Sequence, residues 1–252
     1  MDKPDLRVLL FDLGGTLMYE KDAWPPIILR AEQALVASLA TSGIYVRPEV
    51  YGEAVSFLDF YTRRRLARAD HAEDISTALL STLLEQNGYP AVDPQVVRQA
   101  LQAMYAVTQT NWVAEDDALP VLKSLKSSGY RLGLVSNAAD DDNTQFLIDK
   151  GGFRPYVEFI VSSAACAIRK PDPRIFELAL DFFKEPASKT AMIGDTLDAD
   201  ILGANQLGMF SIWITRRAQP TTEELARIKP LARIDTLLEL PALLGIPRSA
   251  GT

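Results

Sequence analysis

The sequence has few of the residues that several common kinds of functional site require. Its 252 residues include one cysteine, Cys166, and one histidine, His71. An intramolecular disulfide is therefore excluded, and neither a cysteine-rich zinc site, a multi-histidine metal site nor a histidine-based catalytic triad is expected. The sequence also lacks any run of about 18 apolar residues, so no membrane-spanning helix and no membrane partner are predicted.

An excess of positive charge is missing as well. Acidic residues outnumber basic ones by 33 to 26, which gives a formal net charge of −7. Proteins that bind nucleic acid usually carry a basic surface, so no nucleic-acid partner is expected. We interpret the short basic run Arg63-Arg64-Arg65 as the solvated face of a helix. The N-terminus shows no signal-peptide pattern, which favours a cytoplasmic location.

The apolar patterning predicts an α/β protein with an inserted helical unit. Residues 7–13 form a fully apolar run, which is typical of a strand buried in a parallel sheet. Beyond residue 110, strands and helices alternate, as in a Rossmann-like sheet covered on both faces. Further strands are predicted at residues 130–136, 158–162, 190–194, 211–215 and 233–234. We therefore assign residues 1–20 and 111–252 to a core domain and residues 21–110 to a helical domain.

The helical domain is predicted to contain four helices. Its apolar residues recur at helical spacing, with Ile28 and Leu35 on the buried face of the first helix and Val55 and Tyr61 on that of the second. Three aromatic residues near its two junctions, Tyr19, Trp24 and Trp112, are interpreted as packing residues. His71 is expected at the surface, and the tail at residues 248–252 is expected to be frayed.

Chemically useful side chains follow the predicted strands. The carboxyl ends of parallel strands share one edge, where such sheets bind ligands. A carboxylate nucleophile, a magnesium site and groups that bind phosphoryl oxygens would together support phosphoryl transfer through an aspartyl phosphate. An inserted unit after the first strand can act as a lid over this edge. The residues are Asp12, Ser136, Asn137, Lys170, Asp195 and Asp200.

Four segments in order resemble motifs of the haloacid dehalogenase-like hydrolase superfamily, and the resemblance covers nearly the whole chain. They are FDLGGTL at residues 11–17, VSN at 135–137, RKPDPRIF at 169–176 and MIGDTLDADILGA at 192–204. The resemblance implies a Rossmann-like core with an α-helical cap inserted after the first motif. It also implies hydrolysis of a small phosphorylated substrate with Mg²⁺ as cofactor.

The resemblance assigns roles to individual residues. Asp12 is the expected nucleophile and Lys170 its catalytic partner. Mg²⁺ is expected to bind Asp12, the carbonyl of Gly14 and Asp195, with Asp200 supporting it through water. The expected phosphate-binding residues are Gly14, Gly15, Ser136, Asn137 and Lys170. Asp198 is given no role beyond capping the helix that follows it.

Gly14 departs from the family pattern. Phosphatases of the family usually carry a second aspartate there, which protonates the leaving group and then activates water. Such a group is typically worth about 10²–10⁴-fold in rate. We therefore expect slow turnover of alkyl phosphates, less effect on aryl or acyl phosphates and no mutase activity. With the surrounding geometry intact, Gly14→Asp is expected to raise turnover of poor leaving groups.

Three functions are compatible with these residues. The first is a Mg²⁺-dependent phosphatase acting on a small phosphorylated metabolite. The second is a 2-haloacid dehalogenase, which needs no leaving-group proton and no metal, so that Gly14 fits it but the acidic pair Asp195 and Asp200 does not. The third is a phosphate-binding protein that has lost turnover. No motif in the helical domain indicates a particular substrate, and nothing indicates an oligomeric state.

Overall fold

The computed structural model describes residues 5–246. The first four residues and the tail at residues 248–252, which was expected to be frayed, lie outside the described residues. Across residues 5–246, no helix combines the length and apolarity needed to cross a bilayer.

The main sheet has six parallel strands, as the alternation of strands and helices predicted. Its order is β5-β4-β1-β6-β7-β8, so the first strand of the chain lies in the middle. A separate antiparallel pair is formed by β2 and β3. The strands of residues 5–246 are β1 (Val8–Phe11), β2 (Met18–Glu20), β3 (Trp112–Ala114), β4 (Arg131–Ser136), β5 (Phe159–Ser162), β6 (Thr190–Gly194), β7 (Phe210–Ile214) and β8 (Ala232–Ile234).

Four helices follow one another between β2 and β3 and form the predicted helical unit. They are α1 (Trp24–Thr41), α2 (Phe57–Ala67), α3 (Ser76–Gln86) and α4 (Pro94–Gln109). A separate apolar core, including Leu35, Leu80 and Leu101, holds them together. Because this cluster contains no residue of the main sheet, the unit has an interior of its own.

Two expected apolar positions in the helical unit are wrong. Ile27 is the buried residue at the start of α1, whereas Ile28 is only partly buried, a shift of one residue around the helix. Val55 is 82% exposed because α2 begins after it, at Phe57, where the Ser56 side chain accepts a hydrogen bond from the Asp59 N–H. The buried face of α2 is therefore formed by Phe57 and Tyr61.

The remaining helices cover both faces of the sheet. They are α5 (Ala118–Ser127), α6 (Asp141–Lys150), α7 (Ser163–Cys166), α8 (Pro173–Phe183), α9 (Leu202–Leu207), α10 (Thr222–Arg227) and α11 (Leu240–Leu243). Leu9 and Phe11 of β1 share a core with α5 and α6, while Val8 and Leu10 share another with α8 and α9. Burial on both faces explains why the β1 segment is apolar without alternation.

Several short elements depart from the predicted pattern. The helix expected over residues 198–207 begins as a π-helical turn, Leu197–Ile201, before α9. The strands β2 and β3 and the helices α7 and α10 were not predicted, since segments of three to six residues show too little periodicity to be recognised. The pair β2–β3 joins the two connections between the helical unit and the sheet.

Candidate active site

Three adjacent strands in the middle of the sheet bring the predicted site residues together. Asp12 follows β1, Ser136 ends β4 and Asp195 follows β6. Since β4 and β6 both pair with β1 in parallel, these residues meet at one edge. All three, with Lys170, lie at the carboxyl end of the sheet, where the sequence predicted a site.

Lys170 is a fully buried charged residue of the site. It is 1% exposed, and its Nζ lies 2.6 Å from Asp12 Oδ1, 2.7 Å from Asp200 Oδ1 and 2.7 Å from the Val135 carbonyl oxygen. Burial acts to lower the pKa of Lys170, but the charges of Asp12 and Asp200 outweigh it and hold the pKa above its usual value. Lys170 therefore stays protonated and fixes the orientation of the Asp12 carboxylate.

Asn137 holds the backbone that carries Lys170. Its side-chain oxygen accepts a hydrogen bond from the Lys170 N–H at 2.8 Å, and its side-chain nitrogen donates to the Lys170 carbonyl at 3.1 Å. The amide of Asn137 is thus engaged in positioning Lys170. Ser136 is buried at the end of β4 and lines the same cavity as Asp12 and Lys170.

Asp12, Asp195 and Asp200 form a compact carboxylate cluster. Each contributes one oxygen to a group whose members lie within 4.8 Å of one another. A magnesium ion binds oxygens at about 2.1 Å, which places its ligands about 3–4 Å apart. The cluster therefore fits a divalent cation with little rearrangement.

The cluster raises the pKa values of two of its members. Burial, followed by the charges of Asp12 and Asp200, raises the pKa of Asp195 to about 8. Burial also raises the pKa of Asp200, to about 6, although the Lys170 charge opposes it. Carboxyl groups that hold protons near neutral pH for lack of positive charge favour a cation among them.

Two glycines make room for these carboxylates. A Cβ on Gly15 would lie 2.4 Å from Asp195 Oδ2, and the φ of Gly15 is +76°, which few other residues adopt. A Cβ on Gly194 would lie 2.2 Å from Asp200 Oδ2. The π-helical turn at Leu197–Ile201 returns Asp200 toward the site, where its Oδ2 accepts the Thr196 N–H at 3.0 Å. π-Helical turns frequently occur at functional sites.

The backbone of the first motif forms a turn with an internal hydrogen bond. The Gly15 N–H donates to the Met18 carbonyl oxygen at 2.7 Å, so this donor already has a backbone partner. Gly14 lines the cavity that contains Asp12.

The indole ring of Trp112 lies beside Gly14, in the space that a side chain at this position would enter. A Cβ on Gly14 would lie 3.0 Å from Cη2 of Trp112. Trp112 belongs to β3 and packs edge-on against Trp24, with ring centroids 6.0 Å apart. The two tryptophans pack at the junction as predicted. A side chain at Gly14 would therefore require the Trp112 ring to move by a few tenths of an ångström, and the expected gain in turnover from Gly14→Asp stays a prediction.

A cavity of about 540 Å³ opens from Asp12, Ser136 and Lys170 toward the helical unit. Arg65, Leu66 and His71 line it from that side. Within the run interpreted as a solvated face, Arg63 and Arg64 do pair with Asp59 and Asp74 near the surface, but Arg65 is a cavity residue. His71 is half-buried and lines the cavity, so it is less exposed than expected.

Two further residues line this cavity from the core side. Arg169 precedes Lys170, and Asp198 lies in the π-helical turn. Asp198 is exposed and lies outside the carboxylate cluster, which among the described residues contains Asp12, Asp195 and Asp200. Neither Arg65 nor Arg169 was assigned a role from the sequence. The approach of Arg65 depends on how the helical unit packs on the sheet, whereas Arg169 lies within the third motif, directly before Lys170.

Comparison with known proteins gives the class and then the family. The chain is 24% identical over 242 residues to phosphoserine phosphatase from Thermus thermophilus, covering 87% of this chain and 92% of that protein. It is 32% identical to glyceraldehyde 3-phosphate phosphatase from Pyrococcus abyssi over 96 residues, which are 38% of this chain and 40% of that protein. A crystal structure of a 2-haloacid dehalogenase from Pseudomonas syringae superposes with a TM-score of 0.69 at 25% identity, covering 95% of this chain and 98% of the other.

The fold, the carboxylate cluster and these relatives define the chain as a hydrolase. A family model described as haloacid dehalogenase-like hydrolase matches residues 6–208. The chain belongs to the haloacid dehalogenase-like hydrolases.

Proposed function

We propose that the protein is a Mg²⁺-dependent phosphatase that acts on a small phosphorylated metabolite through an aspartyl-phosphate intermediate. The observation that carries this proposal is the buried Lys170 ammonium, which bridges Asp12 and Asp200 beside Asp195. This arrangement combines a nucleophile, a fixed positive charge and a cation site at one sheet edge. The phosphatases among the relatives, whose names specify phosphoserine and glyceraldehyde 3-phosphate, support the same chemistry.

The residues fit a magnesium ion because the carboxylate oxygens are close together and lack sufficient positive charge. Asp12, Asp195 and the carbonyl of Gly14 would hold the ion. Both oxygens of Asp200 already face donors, Lys170 Nζ and the Thr196 N–H, which favours indirect support by Asp200. When bound, the ion neutralises phosphate charge and lets an anionic substrate approach Asp12.

The chain's own residues then carry out two displacements. A carboxylate oxygen of Asp12 attacks phosphorus, and the bond from phosphorus to the ester oxygen breaks, with the electron pair leaving on that oxygen. Lys170 and Ser136 are placed to hold the phosphoryl oxygens as their charge increases. Water then attacks the phosphorus of the acyl phosphate, which releases phosphate and restores the Asp12 carboxylate.

Gly14 sets the chemical limit on this reaction. With no carboxyl group at this position, the departing oxygen takes its proton from solvent. Aryl and acyl phosphates, whose leaving groups need little protonation, are therefore the favoured substrates. We also propose that residues 21–110 form a cap domain over the site, because Arg65, Leu66 and His71 line the cavity above Asp12.

A specific observation favours a second candidate, hydrolysis of a 2-haloacid. Halide departs without protonation, so the absence of a carboxyl group at Gly14 would cost that reaction nothing. The likeness to a 2-haloacid dehalogenase over 95% of this chain supports it. The Asp195 and Asp200 pair argues against it, since a metal-free reaction has no use for two further buried carboxylates. A chain that binds phosphate without turnover is the third possibility.

The test is phosphate release from a panel of aryl, acyl and alkyl phosphates, with Mg²⁺ and with chelator. Asp12→Asn should abolish release, whereas the matched control Asp116→Asn, at an exposed position outside the cavity, should retain it. Release that survives in Asp12→Asn or in chelator would overturn the proposal. Halide release from 2-chloropropionate without Mg²⁺ would establish the dehalogenase instead.

A further inference from the structure

The cavity above Asp12 contains positive charges that the proposed phosphate chemistry does not use. Arg65 and Arg169 both line it, and neither forms an ion pair with any carboxylate of residues 5–246. The neighbouring arginines behave differently: Arg63 pairs with Asp59, and Arg64 and Arg68 pair with Asp74. Among the four arginines of residues 63–68, only Arg65, which lines the cavity, therefore forms no ion pair.

Three nitrogen atoms around the cavity also lack hydrogen-bond partners. Arg65 Nε, Arg169 Nε and His71 Nδ1 are buried, and none of them bonds to any group within the described part of the chain. Buried polar nitrogens normally have partners, and leaving a charged one unsatisfied is costly. These nitrogens belong to three residues that line one cavity, and the hydrogen bonding of these residues is incomplete within the described part of the chain.

The backbone holds these side chains in one arrangement. The Arg169 N–H donates to the His71 carbonyl oxygen at 2.9 Å, and Arg169 Nη1 donates to the Arg65 carbonyl oxygen at 3.1 Å. Ala72 and Ile168 form a bridge beside them. The segment from the helical unit and the segment before Lys170 are thus joined, which brings Arg65, His71 and Arg169 together and fixes the guanidinium of Arg169.

The ion pairs of Lys170 distinguish it from Arg65 and Arg169. The Lys170 charge is already shared by Asp12 and Asp200, so Lys170 offers nothing to a second anion. Arg65 and Arg169 contribute two positive charges, of which that of Arg169 interacts with the nearby carboxylate of Asp198. Asp198 and Arg227 also line the cavity, with opposite charges and both exposed to solvent. Arg65 and Arg169 therefore add positive charge to the cavity beyond the ammonium of Lys170.

We propose that Arg65, His71 and Arg169 bind a second anionic group of the substrate, so that the enzyme prefers small phosphate esters that carry a carboxylate or a second phosphate. This proposal rests on the proposed phosphatase function, since it places the first phosphate at Asp12 and Lys170. A volume of about 540 Å³ accommodates a small metabolite that spans both groups. Neutral sugars and aldehydes with a single phosphate would leave the arginines unpaired.

The test uses three esters that differ only in the second group: ethyl phosphate, 2-phosphoglycolate and ethane-1,2-diol bisphosphate. We expect kcat/KM at least tenfold higher for one or both anionic esters than for ethyl phosphate. Comparing 2-phosphoglycolate with the bisphosphate shows whether the site prefers a carboxylate or a second phosphate. Arg65→Gln should reduce this preference by about 10- to 100-fold, the usual effect of a lost charge-assisted hydrogen bond, and mainly through KM. The control Arg63→Gln, at a surface ion pair, should keep it.

A binding measurement keeps the two proposals separable. Calorimetric titration of Asp12→Asn with the same three esters reports the second anion site without turnover. Turnover of ethyl phosphate with no preference for the anionic esters would overturn the anion site and leave the phosphatase. A binding preference in a protein that hydrolyses no phosphate ester would overturn the phosphatase and leave the anion site. Equal loss in Arg65→Gln and Arg63→Gln would also overturn the anion site.

Discussion

Adding a carboxyl group at Gly14 tests the proposal that the reaction proceeds without a leaving-group acid. The φ of Gly14 lies outside the left-handed region, so the backbone itself accepts a side chain. The obstacle is Trp112, whose Cη2 would lie 3.0 Å from the new Cβ, before the carboxyl group is added. Trp112 is held in turn by its edge contact with Trp24 and by its strand pairing with Glu20.

The magnitudes follow from this contact. Forcing extra atoms against a packed ring typically costs about 1–3 kcal/mol of stability. We therefore expect Gly14→Asp alone to be destabilised by about that amount and to gain no more than about threefold in kcat on ethyl phosphate. Removing the ring as well, in Gly14→Asp/Trp112→Val, should release the carboxyl group. A general acid in place is worth about 10²–10⁴-fold, and valine preserves the strand propensity of β3.

The assay compares kcat on ethyl phosphate and on p-nitrophenyl phosphate for wild type, Trp112→Val, Gly14→Asp and the double variant. The gain should appear in the double variant and on the alkyl ester, because the aryl leaving group needs little protonation. A gain of tenfold or more in Gly14→Asp alone would refute the steric reasoning. A folded, Mg²⁺-binding double variant with no gain on the alkyl ester would refute the missing-acid reasoning.

Two further predictions concern the buried charges. Lys170→Met leaves the carboxylates of Asp12 and Asp200 without the ammonium group between them. The metal-free variant should therefore lose about 3–5 kcal/mol of unfolding free energy at pH 7, measured by urea titration, and Mg²⁺ should restore part of it. An unchanged urea midpoint would contradict this. The pKa of Asp195 is raised to about 8 and that of Asp200 to about 6, above their values of about 3.9 in the unfolded chain. The metal-free protein should therefore lose stability as the pH rises from about 4 to 8, and saturating Mg²⁺ should reduce that loss; a urea midpoint that rises with pH in chelator would exclude the effect.

The sequence predicted the central site well because its residues are tied to strand ends. Asp12 follows an apolar run, and Asp195 follows another, so parallel pairing alone brings them to one edge. The same reasoning placed Ser136 beside them, and the structure puts all three where the strands predicted. The roles of these residues, in catalysis and metal binding, remain predictions for the assays above.

The cavity residues could not be predicted in the same way. Arg65 has the same local sequence context as Arg63 and Arg64, and only the packing of α2 against the sheet separates a cavity residue from two surface ion pairs. Trp112 reaches Gly14 through the pair β2–β3, whose strands are too short to show a period. These features depend on contacts between distant segments, which local sequence patterns do not predict.

The central position of β1 has a consequence for how the chain folds. Val8 is synthesised before its strand partners, which are Arg131 on one side and Thr190 on the other. Closing such long loops costs conformational entropy before the strand pairs can form and offset it. Folding therefore slows as contacts become more distant in sequence. The helical unit, whose helices pack mainly on one another, has no such delay. We therefore expect helix formation to precede completion of the sheet, so that Asp12, which follows β1, reaches Lys170 and Asp200 only late in folding.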